Sequence, residues 1–435
     1  MFQGERPILP SRVLDVGPPD GSQQPFLHES RGQVGDYVSL SHRWGGSTML
    51  TTMMRDINQR TSEITLKSMP KTFQDAVFVT RALGISYLWI DSLCIVQDSL
   101  GDWEKEAELM GHVYKNATLT IAAVAATSGD SGCFLQYDGR RNRPCRIGTF
   151  QFDLGSEQLP NSMRNFRCYA LQKGQQLTGY EDSFRPRGPL DSRGWVMQEE
   201  VLSTRLLSFC HNGIYWECLH MDAAEFVPGG YIPGHGSERW SPARRYARAF
   251  KRGLLNKICV GFERFGDVPL HDSWEALIEN YSSRLLTRES DRLAAIYGLA
   301  RSMQDAANVP YVAGLWEDHL HQQLMWHVER RIVGTDKRIF GDPDSAMSIW
   351  SPKNIILAPR PRGPYQRAVV APSWSWATVN RRIKWERTDR SDMQPLLEIV
   401  KKDIRNKCIS EIEGRLTVRG WMRTAYAKYG SDTEL

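Results

Sequence analysis

From Gly84 to Ala126 the chain reads GISYLWIDSLCIVQDSLGDWEKEAELMGHVYKNATLTIAAVAA, and this stretch restricts the fold more than any other. Tyr87–Asp91 and Leu119–Ala125 are short apolar runs without strict alternation, the pattern of strands covered on both faces. Between them, Asp102–Ala117 carries a helical period. Steps of about 100° per residue set Trp103, Ala107, Met110, Val113, Tyr114 and Ala117 on one stripe. Glu104, Lys105, Glu108, His112 and Lys115 fall opposite. Glu106 breaks the rule: it lies on the wheel between Val113 and Ala117, inside the apolar stripe. A carboxylate aimed at a core is costly unless it is paired or used.

The flanking chain extends the same logic. Arg12–Val16 reads as a short strand followed by a Gly-Pro turn, and Tyr37–Ser41 as a second strand. The latter runs directly into His42, Arg43, Trp44, Gly45 and Gly46, a small and polar run suited to close approach of a ligand. Pro70 opens a helix over Lys71–Leu83, with Phe73, Ala76, Val77 and Leu83 inward and Gly84 as its stop. Strand–helix–strand repeats of this length predict an α/β domain with a parallel sheet, up to about residue 135.

Beyond it, 136–190 is polar, basic and rich in Pro and Gly, and reads as a long insertion with some strand content. Order returns at 191–220. Asp191–Trp195 leads into a short helix carrying Gln198 and Glu199, then a hairpin of 205–211 and 214–218 on the Asn212-Gly213 signal. A loop is expected over 227–236. Helices are expected near 242–252, 272–286, 291–303 (capped by Asp291) and 316–329. Strands are expected at 373–379, 383–385 and 416–421.

A length of 435 residues calls for two or three domains. The net charge of +5 is mild for that length and no dense Lys/Arg block is present, so nothing indicates a specific nucleic-acid or membrane partner. No apolar run approaches the ~20 residues of a membrane helix. The first residues lack a charged-then-apolar leader, and the eight scattered cysteines suit a reducing, cytoplasmic setting. Cys210, His211, Cys218 and His220 fit no standard zinc knuckle, and their hairpin needs no metal, so no metal is expected there. GxSxG, Walker, HExxH and CxxC motifs are absent, which removes the common hydrolase, NTPase and metalloprotease readings.

In an open parallel sheet, ligands bind beyond the carboxyl ends of the strands. That rule brings Ser41, His42, Arg43 and Trp44, then Asp91, then Glu106 in the first turns of its helix, to one rim. Such a set can hold a nucleotide: Arg on phosphate, Trp on a ring, acid on a ribose hydroxyl. Each residue also has a structural reading. Asp91 can cap the turn after its strand, and His42 and Arg43 can pair with Asp91 or Glu106. Trp44 and Trp103 can be core aromatics, and Glu106 can bond backbone or an arginine. A Cys94–His42 dyad is disfavoured, because Leu93-Cys94-Ile95 reads as buried.

Three blocks carry a resemblance to a known family: YVSLSHRWG at 37–45, the long block at 69–134, and SRGWVMQEEVLSTRLLSF with YWEC at 192–218. The chain resembles the fungal heterokaryon-incompatibility (HET) domain family. RVLDV, SDRLAAIYGLA and APSWSWATV resemble segments that flank the domain. The resemblance implies a TIR-like (flavodoxin-like) α/β core, with an N-terminal strand segment over 1–35. The HET domain would span 36–220, made of core 36–135, insertion 136–190 and block 191–220, before a mixed helical and β region over 221–435. It also implies a role in non-self recognition and programmed cell death. Through the remote similarity of HET to TIR domains, it implies cleavage of NAD at the nicotinamide bond. Glu106 is then the catalytic acid, in an Asp102-Trp103-Glu104-Lys105-Glu106 element. His42 and Arg43 position phosphates, and Trp44 or Trp103 walls the pocket. Arg193, Trp195 and Glu199 are further candidates from the last block. NAD enters as substrate and no cofactor is implied. The alternative is a non-catalytic module that signals by self-association. Either way a homo-oligomer on activation and an unidentified recognition protein are the expected partners.

Overall fold

The computed structural model describes residues 6–44, 49–136, 145–153, 163–170, 185–231, 251, 264–265, 268–329, 371–385, 397–409 and 411–420. The chain opens with β1 (Arg12–Asp15), β2 (Phe26–Glu29) and β3 (Tyr37–Ser41). Helices α1 (Ile57–Ser62) and α2 (Lys71–Ala82) precede β4 (Tyr87–Ile90). A single helical turn, α3 (Asp91–Cys94), leads to the long α4 (Leu100–Asn116) and β5 (Leu119–Ala122). A separate hairpin follows, of β6 (Cys145–Asp153) and β7 (Met163–Ala170). Then come α5 (Val196–Leu202), β8 (Arg205–Cys210), β9 (Gly213–Cys218), β10 (Asp222–Ala224) and β11 (Val227–Tyr231).

Nine of these strands form one mixed sheet, in the order β11-β10-β9-β8-β5-β3-β4-β1-β2. The parallel pairs β4–β3, β3–β5 and β5–β8 make its centre. The remaining pairings are antiparallel: β1 and β2 on one side, β9 to β11 on the other. The fold is therefore α/β as expected, but the sheet is mixed and runs past both expected domain limits, residues 36 and 220. Numbered among themselves, the four parallel strands stand in the order 2-1-3-4.

The sequence pattern explains the centre. Every residue of β3 is buried, which is why its run does not alternate. Its two faces still serve different helices. Tyr37 Oη donates to Val113 O of α4, and the Ser39 and Thr120 hydroxyls meet at 2.8 Å. His42, of opposite parity, sits edge-on to Phe73 of α2 at 4.9 Å. So α2 covers one face and α4 with α5 the other. The wheel of α4 is realised: Glu106, Ala107, Met110, Val113 and Tyr114 are buried. Ser99 caps its first turn by accepting from Asp102 N, and Gly84 ends α2 with φ of 69°. Leu83, expected inward, is an exposed cap residue.

The helix Ala294–Ala307 lies against α4 at an unusually close crossing. A Cβ built on Gly111 would stand 2.6 Å from the Cα of Gly298. Backbones this near tolerate no side chain between them. Gly111→Ala is therefore expected to lower stability by about 1–3 kcal/mol, read as a shift in the denaturation midpoint. An unchanged midpoint would show that the two helices can part freely.

Several expectations for the second half need correcting. Helix Leu270–Tyr281 matches in place, but Asp291 is no N-cap: it lies in a 3₁₀ turn and accepts from the Trp195 indole at 3.3 Å. No long helix occupies 316–329. Ala313 and Gly314, at φ 48° and 99°, turn a small hairpin that pairs Trp316 with Tyr311, and helix forms only over Leu320–Gln323. SWSWATV is not a strand. Ser375 caps a 3₁₀ turn by accepting from Ala377 N, and the Trp376 indole, needing a partner in the core, donates to Gly314 O at 2.9 Å. Part of the expected 227–236 loop is edge strand β11, and the 205–218 hairpin turns on His211 and Asn212, with Gly213 already paired. Strands at 383–384 and 411–420 match. The expected 242–252 helix lies outside the described residues save Lys251. No helix among the described residues is long and apolar enough to cross a membrane.

Candidate functional site

The carboxyl ends of β3 and β4 deliver the site, as the parallel-sheet rule requires. β3 ends at Ser41 and passes into His42, Arg43 and Trp44. β4 ends at Ile90, and Asp91 opens α3 rather than closing the strand. Asp91 caps the turn, one of the readings open to it, and also makes a bond that was not expected. Its Oδ1 accepts from Ser92 N at 2.7 Å, which pins the turn, and its Oδ2 accepts from the Trp44 indole at 2.8 Å. That bond holds Trp44 at the surface, with 36% of its area exposed, so Trp44 is not a core aromatic. Arg43 is half-buried beside it and has no hydrogen-bond or ion-pair partner among the described residues.

His42 is buried, with Nδ1 3.6 Å from Asp91 Oδ1 and neither ring nitrogen hydrogen-bonded among the described residues. Burial pulls its pKa down to about 4, against the opposing pull of Asp91. A neutral imidazole packed on Phe73 supplies no charge to a phosphate, so of the expected pair only Arg43 is placed for that task.

The segment before α5 closes the rim from above β3. An Arg193 guanidinium N–H donates to His42 O, and Ser41 Oγ donates to Glu199 Oε2. Glu199 is buried, and burial raises its pKa to about 7 despite Arg193 and the Ser41 bond. Tyr114, which donates to Leu40 O at 3.3 Å, stands beside it. Ser203 links the Glu199 carbonyl to Thr120, continuing the hydroxyl chain from Ser39. Ser39, Thr120 and Ser203 are not among the residues expected at the site, and Tyr114 and Phe73 are expected only as core residues. Three small polar residues inside otherwise apolar runs were the signal available.

Glu106 stands in a different group. It is buried as the wheel requires, but its neighbour is Arg12 of β1, whose Nη2 lies 3.8 Å from Oε1. Arg12 is committed elsewhere: it donates to both Asp102 oxygens at 2.5 and 2.6 Å, and its Nε donates to Cys94 O at 2.7 Å. Glu106 Oε1 therefore has no hydrogen bond among the described residues. Burial raises its pKa above the usual carboxylate range, outweighing Ser11 and Arg12. The structure thus divides the expected rim in two, with the turn Asp91–Cys94 between the halves. Glu106 does not meet Arg43 or His42, and Arg12, which was not considered a site residue, is what faces it. Trp103 is half-buried and meets Trp195 edge-on at 6.3 Å, beside this second group. Cys94 is buried and its thiol is pushed up to about 12, so no thiolate–imidazole dyad with His42 operates.

The arrangement sorts by accessibility. Arg43 and Trp44 are the accessible members and can meet a ligand, while Asp91 is buried beneath them and holds the Trp44 indole. Glu199 and the neutral His42 are buried at this rim, whereas Glu106 is buried in the second group beside Arg12.

Among known proteins, residues 37–199 match the family described as heterokaryon incompatibility protein (HET), which covers less than half of the chain. No curated protein and no solved structure matches the chain. The matched span begins at β3 and ends at Glu199, so it contains Ser41, His42, Asp91, Glu106 and Arg193 together. It is over residues 37–199 that this chain is similar to the heterokaryon incompatibility (HET) family.

Proposed function

We propose that this protein is an effector of heterokaryon incompatibility whose HET domain is TIR-like, takes NAD or a related nucleotide at the β3–β4 rim, and cleaves the nicotinamide glycosidic bond. The observation that carries the reading is the pair of Arg43 and Trp44 at the surface above two adjacent parallel strands, with the buried Asp91 bonding the Trp44 indole: a cation without a partner among the described residues, an indole face and an acid. Those are the groups a dinucleotide needs for phosphate, ring and ribose. The 2-1-3-4 order of the parallel strands agrees with a flavodoxin-like core, where ligands sit at such an edge.

Chemistry at this bond is undemanding. The leaving nicotinamide is already cationic, so no acid is needed on its side, and a carboxylate that stabilises developing positive charge on the ribose suffices. Glu106 is the residue for that role, its Oε1 lacking a hydrogen bond among the described residues. The Arg12–Asp102 pair closes over it in this conformation, so the reading requires that self-association on activation, with a recognition protein as trigger, loosens the 94–102 segment. The expected result is nicotinamide release by concentrated or artificially clustered protein, falling on the order of 10²-fold in Glu106→Ala while the fold is retained.

A second reading rests on the same clamp. Arg12, Asp102 and Glu106 form a closed charged group that ties β1 to α4, as a structural element would. A well-folded wild type that releases no nicotinamide even when clustered would make the domain a non-catalytic, self-associating module.

A further inference from the structure

We propose that His271, Asp318 and His319 form a binding site for one zinc-class transition-metal dication, with water completing its coordination. The three residues come from two elements: His271 from the first turn of helix Leu270–Tyr281, and Asp318 and His319 from the 3₁₀ turn Glu317–His319. One ligand atom from each falls within 4.8 Å of the others.

The spacing fits the ion. His271 Nε2 and His319 Nδ1 each lie 3.2 Å from the same oxygen, Asp318 Oδ2. For metal bonds of about 2.0–2.1 Å, the edge of a tetrahedron is about 3.3 Å. Protein hydrogen bonding accounts for only part of the cluster, the contact between His271 and Asp318. His319 Nδ1 is inaccessible and makes no hydrogen bond despite its distance to Asp318. The two imidazoles also stack with centroids 3.6 Å apart, an arrangement that repels protonation of both.

Two imidazoles and a carboxylate select zinc, copper, nickel or cobalt over calcium or magnesium. The planes of the rings differ by 28°, so their lone pairs converge only partly. Binding turns the half-exposed His319 ring about a broad terminal torsion, which costs little. His271 Nδ1 has no partner to donate to, so the orienting bond common behind metal-bound histidines is lacking among the described residues. That makes the metal exchangeable, removed by chelator without unfolding the protein. Its effect is to pin the 317–323 turn onto the helix at 270–281.

The test uses chelator-treated full-length protein and two probes. Zinc is titrated calorimetrically, and cobalt(II) is followed by the visible absorption of a tetrahedral site. One equivalent is expected to bind. His271→Ala and His319→Gln should each weaken binding on the order of 10²-fold or more, whereas His321→Gln, outside the group, should bind as wild type. His319 is half-exposed, so its variant remains informative if His271→Ala fails to fold. Failure of wild type to bind, or a loss no larger in His319→Gln than in His321→Gln, would overturn the proposal.

Discussion

Glu200→Ala is expected to cost about 3–5 kcal/mol of stability, because it orphans buried arginines. Glu200 is approached by Arg187 at 3.2 Å, Arg284 at 3.4 Å and Arg185 at 3.7 Å. Asp191 is the other carboxylate, bound to Arg185 at 2.7 Å. The Arg185 and Arg284 side chains are only 4% and 5% exposed, so neither can recover solvent when its partner goes. Arg187 is 37% exposed and its contribution is discounted for screening. Arg284 is the critical member: desolvation already lowers its pKa, and Glu200 is the carboxylate that opposes this most. Adding Arg284→Met to Glu200→Ala should therefore recover part of the loss, since the orphaned charge leaves with it. Denaturation midpoints of the three variants decide the matter. A loss under about 1 kcal/mol, or no recovery in the double variant, would sink this account. The pH dependence has a fixed sign. Arginines hold the pKa values of Asp191 and Glu200 below the ordinary range. Their stabilisation is present above the unfolded value, about pH 4, and is lost as pH falls through the depressed folded values. Glu200 adjoins Glu199, so this network also fixes the segment that bonds Ser41 and His42.

What was legible from sequence follows physical range. β3, α2 and α4 could be read because each is specified by its own residues: unbroken apolar runs for parallel strands, a 3.6-residue period and a Gly stop for helices. The burial of Glu106 was legible for the same reason. Its partner was not. Arg12 reaches Glu106 only because β1 adds to the sheet antiparallel to β4, and nothing local to RVLDV states that pairing. The bonds Ser41–Glu199 and Arg193–His42 span 158 and 151 residues, so the candidates could be named separately but not joined. The misread segments share a cause. Trp316, Trp374 and Trp376 carry helix- or strand-like patterns, yet tertiary demands decide their backbone: the Trp376 indole donates to Gly314 O, and the Trp326 indole to Trp374 O. The Trp376 and Trp326 indoles find their acceptors through these bends, whereas those of Trp316 and Trp374 are buried without one among the described residues, so packing alone fixes them.

Glu199→Gln is expected to stabilise the protein by up to about 3 kcal/mol above pH 7, and by little below pH 4.5. Burial raises the Glu199 pKa from its ordinary 4.5 to about 7, so between these values the folded state binds the extra proton. Stability then falls as pH rises through that window, and the loss is complete above pH 7, where the charged form must be buried. The groups facing Glu199 are Ser41 from β3, Tyr114 from α4, Arg193 from the preceding segment and Asp91 from α3. Arg193 favours the charged form, but burial and Asp91 together outweigh it. Glutamine keeps the shape and can bond Ser41, yet carries no charge to bury. The measurement is the denaturation free energy of both proteins across pH 4.5 to 8; parallel curves would show that Glu199 does not titrate in this range. The same proton bears on the rim. At neutral pH Glu199 is poised between its two forms directly beneath Ser41, so a cationic ring held at Trp44 would draw the proton off. A neutral ligand would leave it in place. Proton release on ligand binding, present in wild type and absent in Glu199→Gln, therefore reports the charge of whatever the rim accepts.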